Sequence, residues 1–167
     1  FGFDNKYFKN DMDLNNVEMN HGYISDKDTA KFALEKLKSH ISQNPDKPLF
    51  EFVVNIDNHG PYAKYDLGYP EILKRSGSMD DETYYIVNNY LYGLNRCDEA
   101  LGYFVDSLDK IGEPVIFLFF ADHLPFLGEN FKGYKALGFE ISQTGSLEAY
   151  LNHYETPYFI WSNDAAK

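Results

Sequence analysis

Lysine and arginine are scarce in this chain: 15 against 26 aspartates and glutamates, for a formal charge of -11 over 167 residues. That balance argues against nucleic acid as a partner, since wrapping its backbone takes clustered basic residues. It gives no support to a basic membrane-surface patch either. A local cationic pocket for an anionic substrate stays open, because net charge says little about one cleft. Cysteine is scarcer still. Cys97 stands alone, which excludes an internal disulfide but not an oxidising compartment. Its neighbours read as a helix, so a small buried thiol is expected. No apolar run approaches the roughly 18 residues of a membrane helix, and no signal peptide or lipidation motif is present. The chain opens on Phe1 rather than Met, as expected of a piece cut from a longer protein. The missing targeting signals therefore say nothing of where that protein resides.

Apolar and aromatic residues are abundant. They make up 44% and 17% of the chain, with 14 Tyr and 14 Phe, so a packed core is expected rather than disorder. Two runs read as buried strands. Leu49-Phe50-Glu51-Phe52-Val53-Val54-Asn55-Ile56 leads into Asp57-Asn58-His59-Gly60-Pro61-Tyr62. Pro114-Val115-Ile116-Phe117-Leu118-Phe119-Phe120 leads into Ala121-Asp122-His123-Leu124-Pro125. Runs of this kind suit strands covered on both faces of a largely parallel sheet. Ligands of such sheets bind outside the carboxyl ends of the strands.

Helices fill the rest of the pattern. Ser25 or Asp26 caps one through about residue 42, with Phe32, Leu34, Leu37 and Ile41 as its apolar stripe. Asn44-Pro45-Asp46-Lys47-Pro48 breaks it. A second starts at Asp80 or Asp81 and carries Ile86, Tyr90, Leu94, Cys97, Leu101, Phe104, Leu108 and Ile111 on one face. Gly112 closes it and Pro114 opens the second strand, a βαβ pattern. Ser146 caps a short helix carrying Leu147, Tyr150 and Leu151, and residues 156–164 form a last strand-like run. Irregular stretches are expected over residues 1–19, 61–79 and 124–146. The long loop after His59 exceeds an ordinary connection, and such loops at strand ends are often functional. The class is α/β: a mostly parallel sheet flanked by helices, incomplete because upstream strands are missing.

Chemistry concentrates at the two strand ends. Asp122 and His123 offer a hard oxygen and an imidazole nitrogen. Strand neighbours point to opposite faces, so both reach one ion only where the strand has ended and the backbone turns. The plainer reading has Asp122 capping the turn and His123 bonding locally. His59 is either a donor or proton shuttle at a phosphoryl or sulfuryl oxygen, or an imidazole satisfying carbonyls in a Gly-Pro turn. Asp57 and Asn58 read as turn residues. Nothing in the spacing of His153 and Glu155 favours ligation, and His21 and His40 read as surface residues. Glu129 and Lys132 fit a solvated loop, and Tyr84, Tyr85, Tyr90 and Tyr92 fit packing. Catalytic zinc takes three protein ligands and harder ions more. Two candidate ligands and no activated nucleophile leave that set incomplete.

In order along the chain, Gly2-Phe3-Asp4, Gly22-Tyr23-Ile24-Ser25-Asp26, Asp57-Asn58-His59-Gly60-Pro61-Tyr62, the helix from Asn89-Tyr90 to Leu108, Asp122-His123-Leu124-Pro125 and Glu155-Thr156-Pro157-Tyr158-Phe159-Ile160-Trp161 form a pattern. It resembles the C-terminal part of the extracellular catalytic domain of lipoteichoic acid synthase-like phosphoglycerol transferases, in the sulfatase and alkaline phosphatase superfamily. The resemblance implies that residues 1–167 are the C-terminal portion of such a domain. It implies metal ligation by Asp122 and His123, and phosphate contact by His59. The family's threonine nucleophile and a further acidic ligand would lie upstream, so the isolated chain is expected to be inactive. Ala121 stands where the family commonly has Gly.

The implied cofactor is a divalent metal, manganese foremost, with magnesium or zinc as alternatives. The implied reaction moves a glycerophosphoryl group from a phosphatidylglycerol-like lipid, through a covalent intermediate, in cell-envelope polymer synthesis. The implied location is the extracellular face of a bacterial membrane, reached through an N-terminal region absent here. The implied partners are anionic phospholipids or phosphate and sulfate esters. A sulfatase or phosphoethanolamine transferase of the same fold, or a non-catalytic wall-glycan-binding domain, are the alternatives.

Overall fold

A computed structural model of the chain describes residues 2–75, 77 and 79–166. Phe1, in the opening stretch, and Ser76 and Ser78, in the long loop after His59, lie outside the described residues, as does Lys167. The elements run β1 (Met19–Asn20), β2 (Tyr23–Ile24), α1 (Asp26–Gln43), α2 (Asp81–Asp109), β3 (Ile116–Phe120), α3 (Lys132–Ala136), α4 (Leu147–Tyr154) and β4 (Tyr158–Ser162). Single 3-10 turns occupy Lys9–Asp11, Glu129–Phe131 and Asp164–Ala166. No helix among the described residues is long and apolar enough to cross a membrane. The chain divides into two compact units, and α2 contributes residues to each.

The first unit holds the residues up to Asp57 together with Arg96–Lys110. β1 and β2 form a tight hairpin, Met19 opposite Ile24 and Asn20 opposite Tyr23. The two turn residues, His21 and Gly22, have φ of 49° and 87°, the paired left-handed geometry that matches strand twist in a two-residue hairpin. Ser25 then caps α1, its hydroxyl accepting from the Asp28 N–H at 3.1 Å. The Asp28 carboxylate closes the junction by accepting from the Ser25 hydroxyl at 3.0 Å and the Glu18 N–H at 2.7 Å. Ala33 and Leu34 are the most buried apolar residues of this helix.

The second unit holds Asn58–Asn95 together with the residues from Ile111 on. Its core gathers Ile86, Leu127, Tyr134 and Ile141, with Tyr62, Tyr90, Leu124 and Phe131 packed against it. β3 and β4 pair antiparallel, Phe117 opposite Trp161 and Phe119 opposite Phe159. Asn163, 1% exposed, clamps the entry to β3. Its Oδ1 accepts from the Val115 N–H, and its Nδ2 donates to the carbonyls of Ile111 and Glu113.

The α/β class holds, and it is consistent with a partial sulfatase-like domain. The sheet itself departs from expectation. Both pairings among the described residues are antiparallel rather than mostly parallel, and residues 49–56 form no strand. Phe50 and Val54 in that segment are 77% and 70% exposed. An apolar run supplies side chains for a sheet, but a strand also needs a backbone ladder. Because residues 49–56 form no strand, the expected βαβ unit is absent. β3 is likewise not covered on both faces: Ile116, Leu118 and Phe120 are exposed, while Phe119 stacks with Phe159 and Phe117 meets it edge to face.

Two smaller differences lie nearby. The stretch 124–146 is not wholly irregular, since α3 forms within it and buries Gly133 and Tyr134. α4 begins after Ser146 as expected. It buries Ala149 rather than Leu147, Tyr150 and Leu151, which stay exposed.

Candidate functional site

β3 ends at Phe120, and the next residues leave the ladder and turn. The Ala121 N–H still donates to the Pro157 carbonyl at 3.3 Å, fixing the turn to the approach of β4. Beyond it, Asp122 and His123 form a compact pair. The Asp122 Oδ1 accepts from the His123 backbone N–H at 2.9 Å, while Oδ2 lies 3.7 Å from His123 Nε2. The side chains are 84% and 60% exposed, so both donors face solvent. His123 Nδ1 lies 2.9 Å from the Leu124 carbonyl. With the proton on that nitrogen, Nε2 presents its lone pair outward, the arrangement of a ligating imidazole. The following turn is held from beneath: the Tyr134 hydroxyl donates to the Pro125 carbonyl at 2.6 Å. Burial raises this phenol to about 12, which keeps it a donor.

The His59 turn meets this pair. The rings of His59 and His123 lie edge to face with centroids 5.9 Å apart. His59 Nδ1 sits 2.7 Å from the Gly60 carbonyl, so its Nε2 is also the outward nitrogen when Nδ1 carries the proton. The turn includes a cis bond between Gly60 and Pro61. Two contacts anchor it. The Asn58 Nδ2 donates to the Tyr90 carbonyl on α2 at 3.3 Å, and the Tyr62 hydroxyl donates to the Asn58 carbonyl at 2.8 Å. Burial raises the Tyr62 phenol as well. Asp57 is buried just before the turn, its Oδ2 3.6 Å from Arg96.

The chemistry of the donors fits a divalent ion in part. Two donors each about 2.0–2.2 Å from one ion are separated by no more than about 4.4 Å, and Asp122 Oδ2 and His123 Nε2 satisfy that at 3.7 Å. A complete set is not present: among the described residues, no group of three or more His, Cys, Asp or Glu side chains is placed to hold a metal.

Other residues singled out by sequence fall outside this pair of turns. Lys132 Nζ binds Glu82 on α2 at 2.7 Å, a clamp within the unit. Glu129 is exposed. His153 packs edge to face on Phe131 and on Tyr154. Tyr62 with Tyr90, Tyr69 with Tyr92 and Tyr84 with Tyr85 make ring contacts of 4.0 to 5.5 Å, as packing aromatics do. His40 binds the Lys47 carbonyl at 2.9 Å.

Sequence reasoning missed the residues that hold the long loop. Asn88 Oδ1 accepts from the Ile72 and Leu73 N–H groups, and its Nδ2 donates to the Pro70 carbonyl. Asn89 Nδ2 donates to the carbonyls of Ala63 and Tyr65. Both are nearly buried on α2, at 4% and 6% exposure. Their signal was present: two amides inside an amphipathic helix have to satisfy buried polar groups somewhere.

The model of the family described as Sulfatase matches residues 1–167. A Rhizobium meliloti (strain 1021) protein named for cyclic beta-1,2-glucan modification is 24% identical over 165 residues, covering 98% of this chain and 24% of that protein. The capsular polysaccharide biosynthesis protein RkpI of the same strain is 30% identical over 105 residues, 63% of this chain and 16% of its own length. The chain thus spans about a quarter or less of these relatives. No solved structure matches it.

Proposed function

The chain belongs to the sulfatase family, and from that premise we propose that it is part of a metal-dependent phosphoglycerol transferase of the cell envelope. The donor is a phosphatidylglycerol-like lipid and the acceptor an envelope glycan. The observation that carries this reading is the meeting of His59 with the Asp122-His123 turn, rings 5.9 Å apart. The names of the two relatives, one for glucan modification and one for polysaccharide biosynthesis, support a glycan acceptor.

In this mechanism Asp122 and His123 would hold a divalent ion, manganese foremost, together with ligands from elsewhere in the longer polypeptide. Such an ion would neutralise phosphoryl charge and lower the pKa of an attacking hydroxyl. His59, as the imidazolium with its Nδ1–H held by the Gly60 carbonyl, donates from Nε2 to a non-bridging phosphoryl oxygen as charge builds there. A hydroxyl nucleophile outside this chain attacks phosphorus, and diacylglycerol leaves with the proton that balances it. A glycan hydroxyl then attacks the same phosphorus, loses its proton and regenerates the nucleophile. Asn58 and Tyr62 hold the His59 turn in register, and Tyr134 holds the turn after His123.

The test is turnover of a fluorescent phosphatidylglycerol by the full-length protein, before and after chelation and with manganese restored. Release of labelled diacylglycerol that stops on chelation and returns with manganese is expected. Turnover indifferent to chelator, or cleavage of sulfate esters only, would overturn the assignment.

A further inference from the structure

An open cavity of about 370 Å³ lies beside the Asp122-His123 turn, lined by Leu124, Phe139, Asn152, Glu155, Thr156 and Pro157. It is joined to that turn on two sides. Leu124 directly follows His123, and the Pro157 carbonyl accepts the Ala121 N–H that precedes Asp122. Its volume is in the lower range for small-molecule sites, about 300–1,000 Å³. The lining is one of acceptors and apolar faces. Glu155, Thr156 and Asn152 bring carboxylate, hydroxyl and amide groups to the lining, and the Asn152 Nδ2 donates to the Glu140 carbonyl at 2.9 Å. Phe139 is 42% exposed, and its ring also packs tilted against Tyr134 with centroids 5.9 Å apart.

No lysine or arginine lines the cavity. An anionic phosphoryl headgroup would therefore meet Glu155 without a compensating charge. A pyranose suits it better, since its hydroxyls donate to carboxylate, amide and hydroxyl oxygens while its C–H face lies on an aromatic ring. We propose that this cavity binds the neutral saccharide that accepts the transferred group, and so seats an acceptor hydroxyl beside the Asp122-His123 turn. The assignment rests on the transferase reading for its role, though not for the binding itself. It gives the cavity a ligand class, a neutral glycan rather than the lipid donor or free glycerol.

The test is isothermal titration of the full-length protein with sophorose, a neutral glucose disaccharide, with glycerol and inorganic phosphate as separate titrants. Sophorose is expected to bind, and Phe139→Ala to weaken it about tenfold, the loss of one aromatic stacking contact. Glu155→Gln changes neither size nor shape much, so it is the second variant, and it too should weaken sophorose severalfold. Failure of sophorose to bind overturns the proposal. So does equal affinity in wild type and both variants, or binding of glycerol or phosphate that is as tight as that of sophorose and is weakened by the same two variants. Ester turnover measured on the same preparation separates the two readings. Turnover without saccharide binding removes the cavity assignment alone. Saccharide binding without turnover leaves the cavity standing and removes the transferase.

Discussion

Gly93 and Asn58 meet so closely that a Cβ on Gly93 would overlap the Asn58 side chain, its carboxamide carbon at 2.5 Å. The glycine on α2 thereby admits the residue that precedes His59 and lets Asn58 reach the Tyr90 carbonyl. Backbone freedom plays no part, since Gly93 is helical and the requirement is space alone.

Gly93→Ala is therefore expected to destabilise the protein by about 1–3 kcal/mol, the usual cost of overpacking, although Ala is the better helix former. Thermal denaturation checks the stability. Because the overlap falls on Asn58, turnover should fall more in this variant than in Gly102→Ala, where a Cβ meets nothing within 4 Å. Equal behaviour of the two variants would contradict the close contact.

The three site residues should separate by what they hold. Asp122→Ala and His123→Ala each remove a proposed metal ligand on an exposed turn, so metal content should fall and activity vanish while the melting temperature changes little. His59→Ala should keep the metal and lower turnover by about a hundred- to ten-thousandfold, the range for loss of a positioned donor or proton carrier. Elemental analysis of the purified full-length variants, beside turnover of fluorescent phosphatidylglycerol, decides it. Metal lost from His59→Ala and kept by Asp122→Ala would reverse the roles.

Much of this was legible in the sequence, and the reasons differ by element. α1 was readable because Ser25 sits before a 3.6-residue apolar period, and α2 because Asp80 caps a long stripe, accepting from the Thr83 N–H at 2.7 Å. The Asp122-His123 turn was readable because an apolar run stops there and Leu124-Pro125 forbids its continuation. Residues 49–56 misled because composition reports what a strand would bury, not whether a ladder exists to pair it. That Asn88 and Asn89 must bond something was readable from their place in an amphipathic helix, but which loops they and Gly93 anchor was not. Each depends on which distant backbone comes near α2, and local pattern carries no such distance.

Asp26 gives the fold a pH dependence. It is 7% exposed and accepts from the Asp57 N–H at 3.3 Å. Desolvation raises its pKa first and the Asp57 carboxylate adds to the rise, against opposing hydrogen bonds from Cys97, Asn55 and Asp57. A carboxyl raised in the folded state binds its proton more tightly there than in the unfolded chain. Its stabilising contribution is present below the unfolded value of about 3.9 and is lost as pH rises through the folded one. Asp26→Asn keeps an acceptor for the Asp57 N–H and removes the titration. Relative to this variant, wild type should lose stability as pH rises from about 3.5 to 7. Urea denaturation at a series of pH values measures it, and a constant difference across the range would contradict the burial of a titrating Asp26.

Cys97 is half-buried rather than the buried thiol expected from sequence, and it should still react more slowly in the folded protein than in the unfolded chain. Burial first, then the nearby Asp26 carboxylate, pushes its thiol up to about 12. The thiolate is the reactive form, and an unfolded cysteine has a pKa near 8.5. At pH 8 the folded thiolate fraction is then on the order of a thousandfold smaller than the unfolded one. Alkylation by iodoacetamide, followed by mass spectrometry with and without denaturant, should show a rate difference of that order. In Asp26→Asn the folded rate should rise, because the carboxylate that opposes thiolate formation is gone while the burial remains. A folded rate within about tenfold of the unfolded one would mean that neither burial nor the Asp26 carboxylate holds back the Cys97 thiolate.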